Sequence, residues 1–235
     1  MISNPVASSA RGDLDAVRPP VPVGDPTYFS SPRMEMLEFV PQSARQVLEI
    51  GCGEGSFGAL VKARGSEVWG IEIDPTAAEV ARKALDNVLV GDVAVVLKDV
   101  PTSRFDAVVC NDVLEHLVDP YAVLAAILPK LAPGGVVIAS IPNVRHLTNL
   151  KNLLVHKDWQ YTDSGTLDRT HLRFFTERSI RAMLEGCGYE VLQLRGINGV
   201  HNHKYTLLNA LTLGFIEDTR WLQFAVVARA RKPGQ

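Results

Sequence analysis

The stretch Val47-Leu48-Glu49-Ile50-Gly51-Cys52-Gly53-Glu54-Gly55-Ser56 decides how this chain is read. An apolar run that ends in a glycine cluster and opens into a helix describes a buried strand turning sharply at its carboxyl end. Glycine permits positive φ and a close approach of backbone to a ligand. The free N–H groups and the dipole at the following helix start favour negative charge. The order Gly51-x-Gly53-x-Gly55 departs from the dinucleotide fingerprint G-x-G-x-x-G, whose third glycine position is Ser56 here. Taken alone, the cluster also suits a tight strand–helix turn that binds nothing.

Outward from this stretch the chain alternates. Apolar runs at Gln46–Ile50, Glu67–Ile73, Asn87–Val90, Phe105–Asn111 and Val136–Ile141 predict strands. Ser56–Arg64, the segment opened by Asp74-Pro75, and Pro120–Leu131 predict helices between them, with Asp74 as cap and Pro75 at the first helical position. Such a rhythm predicts an α/β fold with a doubly wound, mostly parallel sheet. Upstream, Pro32–Val40 predicts a short amphipathic helix with Met34, Leu37 and Phe39 inward. Downstream, Thr176 caps a helix that turns Ile180, Met183 and Leu184 inward, a helix is expected over Tyr205–Leu213, and Tyr189–Arg195 and Leu222–Arg229 complete the strands. The expected organisation is a Pro- and Ser-rich mobile leader over residues 1–26 and one domain over 27–235. Two long excursions, 143–175 and 196–221, interrupt that domain, and loops of such length usually serve as lids or binding loops.

Composition narrows the class. The 235 residues carry a net charge of −2 and are 46% hydrophobic and 21% charged, as expected of an ordinary globular protein. That balance disfavours a general nucleic-acid or membrane-surface binder. Cys52, Cys110 and Cys187 lie too far apart for a zinc motif or a disulfide framework, so a reducing, cytoplasmic setting is expected. No run reaches the roughly 20 apolar residues of a membrane span, and no signal peptide is visible.

Three carboxylates fall at the ends of consecutive strands, where open α/β sheets bind ligands. Glu49 precedes the glycine loop, Glu72 ends the second strand and is placed to accept from two ribose hydroxyls, and Asp92 follows Gly91 where a side chain can meet an adenine edge. With these in place, the run Val47–Gly55 resembles motif I of the class I S-adenosylmethionine-dependent methyltransferases. Gly70-Ile71-Glu72-Ile73-Asp74 is similar to that family's ribose motif, Gly91-Asp92 to its adenine motif, Phe105–Leu117 to its fourth-strand motif, and Leu131–Gly135 to the turn before its fifth strand. The resemblance implies a Rossmann-like, seven-stranded sheet with the last strand antiparallel, and S-adenosylmethionine as cofactor. It implies cofactor contacts from Glu49, Gly51, Cys52, Gly53, Gly55, Glu72, Ile73, Asp92, Asn111 and Asp112, with Glu49 meeting the methionine ammonium. This cofactor has no pyrophosphate, so the missing third glycine is no obstacle.

Methyl transfer to a hydroxyl needs alignment and a base. His116, just past the fourth strand, and His171, at the end of the first excursion, are the candidate catalytic residues. A helix-start role for His116 and a loop-pinning role for His171 remain open. Asp112, Glu115 and His116 have i, i+3, i+4 spacing and with His171 offer two carboxylates and two imidazoles. This is similar to the metal site of the small-RNA 3′-terminal 2′-O-methyltransferases, although that family has Glu in place of Asp112; the primary assignment includes no metal. Residues 143–181 carry seven basic against four acidic residues, a net +3 that leaves −5 for the rest. An anionic acceptor such as a sugar nucleotide suits that bias, and so does a solvated face with salt bridges. Trp159, Tyr161, Phe174 and Phe175 are candidates to line an acceptor pocket, with at least one of the two phenylalanines expected in the core. His171-Leu172-Arg173-Phe174-Phe175-Thr176 resembles a pattern of bacterial methyltransferases acting on cell-surface glycans and ubiquinone-type small molecules. The expectation is therefore O-methylation of a small molecule or glycan precursor, with a homodimer a compatible assembly. DNA is disfavoured, because Asn111-Asp112-Val113-Leu114 stands where DNA amino-methyltransferases have an Asn/Asp-Pro-Pro-aromatic motif. The alternatives are an RNA 2′-O-methyltransferase-like enzyme, an N-methyltransferase, and a cofactor-binding protein without catalysis.

Overall fold

The computed structural model describes residue 30 and residues 32–231; the expected leader lies outside them. The elements run β1 (Gln46–Ile50), α1 (Ser56–Lys62), β2 (Glu67–Glu72), α2 (Pro75–Ala81), β3 (Asn87–Val90), α3 (Val93–Val96), β4 (Phe105–Asn111), α4 (Pro120–Ile127), β5 (Leu131–Pro142), α5 (Leu147–Lys151), α6 (Glu177–Gly186), β6 (Tyr189–Gly199), α7 (His203–Leu211) and β7 (Trp221–Ala230). The sheet has seven strands in the order β3-β2-β1-β4-β5-β7-β6. β1 pairs in parallel with β2 and β4, β2 with β3, and β4 with β5, whereas β7 is antiparallel to both β5 and β6. The doubly wound α/β fold with an antiparallel last strand is thus as expected.

Alternation along the strands builds a core on each face. Leu48, Ile50, Val108 and Cys110 pack on one side with Leu124, Ile127, Ile180 and Leu184 from α4 and α6. Val47, Ala107 and Val109 pack on the other with Phe57, Val61 and Ala78 from α1 and α2. Local signals set the helix starts. Asp74 accepts from the N–H groups of Thr76 and Ala77 at 2.8 Å each. Thr176 and Ser179 form a reciprocal capping box at α6.

Four expectations change. Met34–Phe39 is a 3-10 turn, not an α-helix; its threefold repeat buries Met36 and Phe39 and leaves Met34 exposed. β5 begins at Leu131 rather than Val136, because Leu131 pairs with Phe105 before a bulge and the Pro133-Gly134-Gly135 segment stays within the strand. β6 extends to Gly199, so the second excursion is shorter than 196–221, and its helix lies over His203–Leu211, where Asn202 accepts from the Tyr205 N–H at 2.8 Å. The first excursion is not wholly irregular: α5 continues into a π turn over Asn152–His156. Its neck is closed by a bridge between Asn143 and Phe175. The Asn143 amide also donates to the carbonyls of Asp218 and Trp221, which ties the two excursions together.

Candidate active site

The carboxyl ends of β1, β2 and β4 carry one half of the site. The N–H groups of Gly51 and Cys52 donate to the Ile71 carbonyl at 2.8 and 3.1 Å, folding the glycine loop over β2. Gly51, Gly53 and Gly55 all have positive φ, and a Cβ on Gly51 would sit 2.6 Å from Cγ2 of Val113. Cys52 is buried, its sulfur filling the space where Gly70 has no side chain, and burial raises its thiol far above the range of a reactive cysteine.

Glu72, expected from sequence at a ribose, is engaged by the glycine loop itself. Its Oε2 accepts from the Gly53 N–H at 2.7 Å, and its Oε1 from the Ile73 and Asp74 N–H groups at 2.8 and 2.9 Å. A carboxylate has about four lone-pair sites, so three are occupied in shaping the loop. Ile73, next to it, is an exposed apolar side chain. Asp92 is exposed and caps α3 by accepting from the Ala94 N–H at 2.9 Å.

Two groups at these strand ends have buried polar atoms without a hydrogen-bond partner. Glu49 is buried, and its Oε2 has no hydrogen bond. Burial pushes its pKa up to about 8, with the nearby Glu72 charge adding and the Gly58 N–H opposing. Both amide atoms of Asn111 are buried without a partner. Buried polar atoms are rarely left so, and a role in binding a ligand explains such an exception. Glycines at positive φ, a buried acid and an open amide fit the carboxylate, ammonium and nucleoside hydroxyls of S-adenosylmethionine. Asp112 is differently engaged: it has a positive φ, pairs with Arg33, and accepts from Gln223 Nε2 and Ser140 Oγ at 2.8 and 2.9 Å.

The other half is assembled by the first excursion. A 3-10 turn over Leu114–His116 follows β4, and the Glu115 carbonyl accepts from the Leu172 and Arg173 N–H groups at 2.8 and 3.0 Å. This docking brings His171 against His116, ring centroids 4.7 Å apart. His116 Nδ1 lies 3.2 Å from the Thr170 carbonyl and 3.1 Å from Thr170 Oγ1, whose own proton goes to Asp168 at 2.7 Å. His171 Nδ1 lies 3.1 Å from the Thr166 carbonyl. A carbonyl only accepts, so both Nδ1 atoms carry the proton and both Nε2 atoms keep a lone pair. Burial pushes the His116 pKa down to about 4, with His171 adding, and burial also lowers that of His171, so both rings are neutral near pH 7.

Glu115 completes the cluster. It is 1% exposed, and neither carboxylate oxygen has a hydrogen-bond partner. Burial raises its pKa to about 8, opposed by its own backbone N–H and then by the Arg33 charge, with the Asp168 charge adding slightly. One donor atom from each of Glu115, His116 and His171 lies within 4.8 Å of the others. Asp112, the fourth member of the set suggested by spacing, is not part of this cluster. Arg33 was not singled out from sequence and nothing local marks it; its pairing with Asp112 spans 79 positions of the chain.

Beside His171, the Phe174 ring packs against Trp159 and Tyr161 at 5.7 and 6.3 Å, all three at least partly exposed, whereas Phe175 is in the core. In the basic segment, Arg145, Arg169 and Arg181 are already paired with Asp218, Asp163 and Glu185.

A methyltransferase-domain family model matches residues 26–194. A "Ubiquinone biosynthesis O-methyltransferase" from Alkalilimnicola ehrlichii is 38% identical over 117 residues, 46% of this chain and 47% of that protein. A protein of the same name from Idiomarina loihiensis is 28% identical over 159 residues, 65% of each chain. The chain thus matches between about half and just under two thirds of these relatives' length. The crystal structure of a SAM-dependent methyltransferase from Archaeoglobus fulgidus superposes with a TM-score of 0.62 at 21% identity, covering 84% of this chain and 94% of that one, and shares its fold.

Proposed function

The chain belongs to the methyltransferase-domain family, and from that premise we propose that it transfers the methyl group of S-adenosylmethionine to a hydroxyl oxygen of a small organic molecule, a sugar hydroxyl included. The cofactor supplies an electrophilic methyl on a sulfonium. The glycine loop from Gly51 to Gly55 and Glu49 hold its methionine end, Asn111 satisfies its amide there, and Glu72, Ile73 and Asp92 hold the nucleoside. His116 and His171 act on the acceptor hydroxyl, and Trp159, Tyr161 and Phe174 pack the acceptor's apolar part. The relatives named as O-methyltransferases of ubiquinone biosynthesis support oxygen as the acceptor atom.

One observation carries this reading: two adjacent neutral imidazoles, His171 buried and His116 half-buried, whose Nδ1 atoms are tied to Thr166 and Thr170, leaving lone pairs available beside the strand ends that bear the glycine loop. The test is transfer of a tritiated methyl group from labelled cofactor to a panel of phenols, catechols and sugars. Labelled methyl ethers are the expected products. Tight cofactor binding without any labelled product would sink the proposal, and products labelled on nitrogen would move it to amine acceptors.

A further inference from the structure

We propose that Glu115, His116 and His171 form a binding site for one divalent transition-metal ion of the zinc class, with an open position for an oxygen of the acceptor. Four observations converge. The donor set is two imidazoles and one carboxylate within 4.8 Å of one another, the ligand chemistry of open, three-residue zinc sites. Both Nδ1 atoms face carbonyls, Thr170 for His116 and Thr166 for His171, which leaves each Nε2 lone pair free for a cation. Ligating histidines are held this way, by donating the other ring N–H to a carbonyl or carboxylate. Asp168 props Thr170 through both its hydroxyl and its N–H at 2.7 Å, an outer support that a histidine merely pinning a loop does not require. Finally, Glu115 is almost fully buried with both oxygens unpartnered, although its own backbone carbonyl accepts two bonds from the docked excursion. A buried carboxylate with no donor calls for a cation.

The size is suitable. Zinc–donor bonds of about 2.0–2.1 Å place tetrahedral donors about 3.3 Å apart, so side-chain rotations of the order of 1 Å close the trio around an ion. His116 is only half-buried, so the cluster is not sealed within the core. Asp112 is held by Arg33, Gln223 and Ser140, which makes this a three-residue site.

The inference rests on the methyltransferase reading and deepens it. His116 and His171 then act on the acceptor as ligands, and a hydroxyl placed at the open position gives its proton to water more readily because the cation stabilises the oxygen's charge.

The experiment uses the full chain carrying no histidine tag, stripped with chelator and titrated with zinc by calorimetry and with cobalt by visible absorption. One ion per chain and a tetrahedral cobalt band are expected. Glu115→Gln and His171→Ala should each abolish the band, and Asp168→Asn should weaken zinc binding about 10- to 100-fold. His203→Ala should leave both unchanged. Circular dichroism and cofactor affinity are recorded for every variant, so a folding failure is visible; His116→Ala replaces any variant that does not fold. No binding of zinc or cobalt, or a band that survives in folded Glu115→Gln and His171→Ala, overturns the proposal. So does full methyl transfer by the stripped protein, an outcome that leaves the methyltransferase reading standing. Failure of the stripped protein and the zinc-loaded protein alike to bind cofactor counts against the methyltransferase reading instead.

Discussion

The glycine loop and the Glu115–His116–His171 cluster lie at the carboxyl ends of the same strands and are built in opposite ways. The loop is shaped by backbone within 25 residues: Glu72 gathers three N–H groups, and Ile71 accepts two more. The cluster joins side chains 55 positions apart and exists only because residues 166–173 dock on the turn after β4. A site made from one contiguous strand–turn–helix is rigid before anything binds. A site closed by an excursion depends on the hydrogen bonds that hold the excursion down. Binding of the cofactor and action on the acceptor should therefore fail separately.

The sharpest break is His171→Ala. Loss of a group that assists proton removal costs roughly 10²–10⁴ in rate. We expect kcat to fall in that range while cofactor affinity, measured by calorimetry, stays within about twofold. A parallel loss of both would join the two regions and refute the division.

Gly51→Ala should do the converse. An alanine at positive φ costs roughly 1–2 kcal/mol, and its Cβ would meet Val113 at 2.6 Å. A total of about 2 kcal/mol or more corresponds to a loss of about 30-fold in cofactor affinity. Metal binding at Glu115 should be unaltered, as read by the cobalt spectrum.

Glu49 offers a pH test of the loop alone. Its folded pKa is raised to about 8 from 4.5, so between those values the native protein holds a proton that the unfolded chain has lost. Stability of the cofactor-free protein should fall as pH rises through that window. In the proposed contact the methionine ammonium favours the ionised form, so cofactor affinity should rise with pH toward about 8, with a proton released on binding. Glu49→Gln should flatten both dependences. Unchanged pH curves in that variant would place the titrating group elsewhere.

Arg33 tests how far the two regions are independent, because it pairs with Asp112 after β4 and its charge also reaches Glu115. Removing a partly exposed pair by Arg33→Met should cost about 1 kcal/mol, or about 2–4 °C in Tm. Its effect on cofactor affinity should be far below that of Gly51→Ala; a comparable loss would show the regions to be coupled through Asp112.

Much of this was legible from local chemistry. Asp74, Pro75 and Thr176 mark helix starts because their side chains or rings satisfy or forgo orphan N–H groups nearby in sequence. The strands β1 to β4 declare themselves as apolar runs because both faces of a parallel sheet are covered. Past these signals, geometry rather than composition decides the outcome. The 3-10 repeat of Met34–Phe39 rotated the buried face, and a bulge opposite Phe105 lengthened β5. For Asp112, the family resemblance implied cofactor contact and the spacing suggested a share in a metal set, yet Arg33 holds it from 79 positions upstream.

By itself, then, the sequence determined the order of strands and helices, the place of the glycine loop, and the residue types at the strand ends. Each of these follows from forces acting over a few positions: backbone conformational freedom, capping, and the period of apolar side chains. Only the tertiary structure decided that Glu115, His116 and His171 meet, that Glu115 is left without a donor, and that Asp112 is turned toward Arg33. These depend on which segment covers which strand end, and the burial and desolvation that follow exist only once the chain has closed on itself.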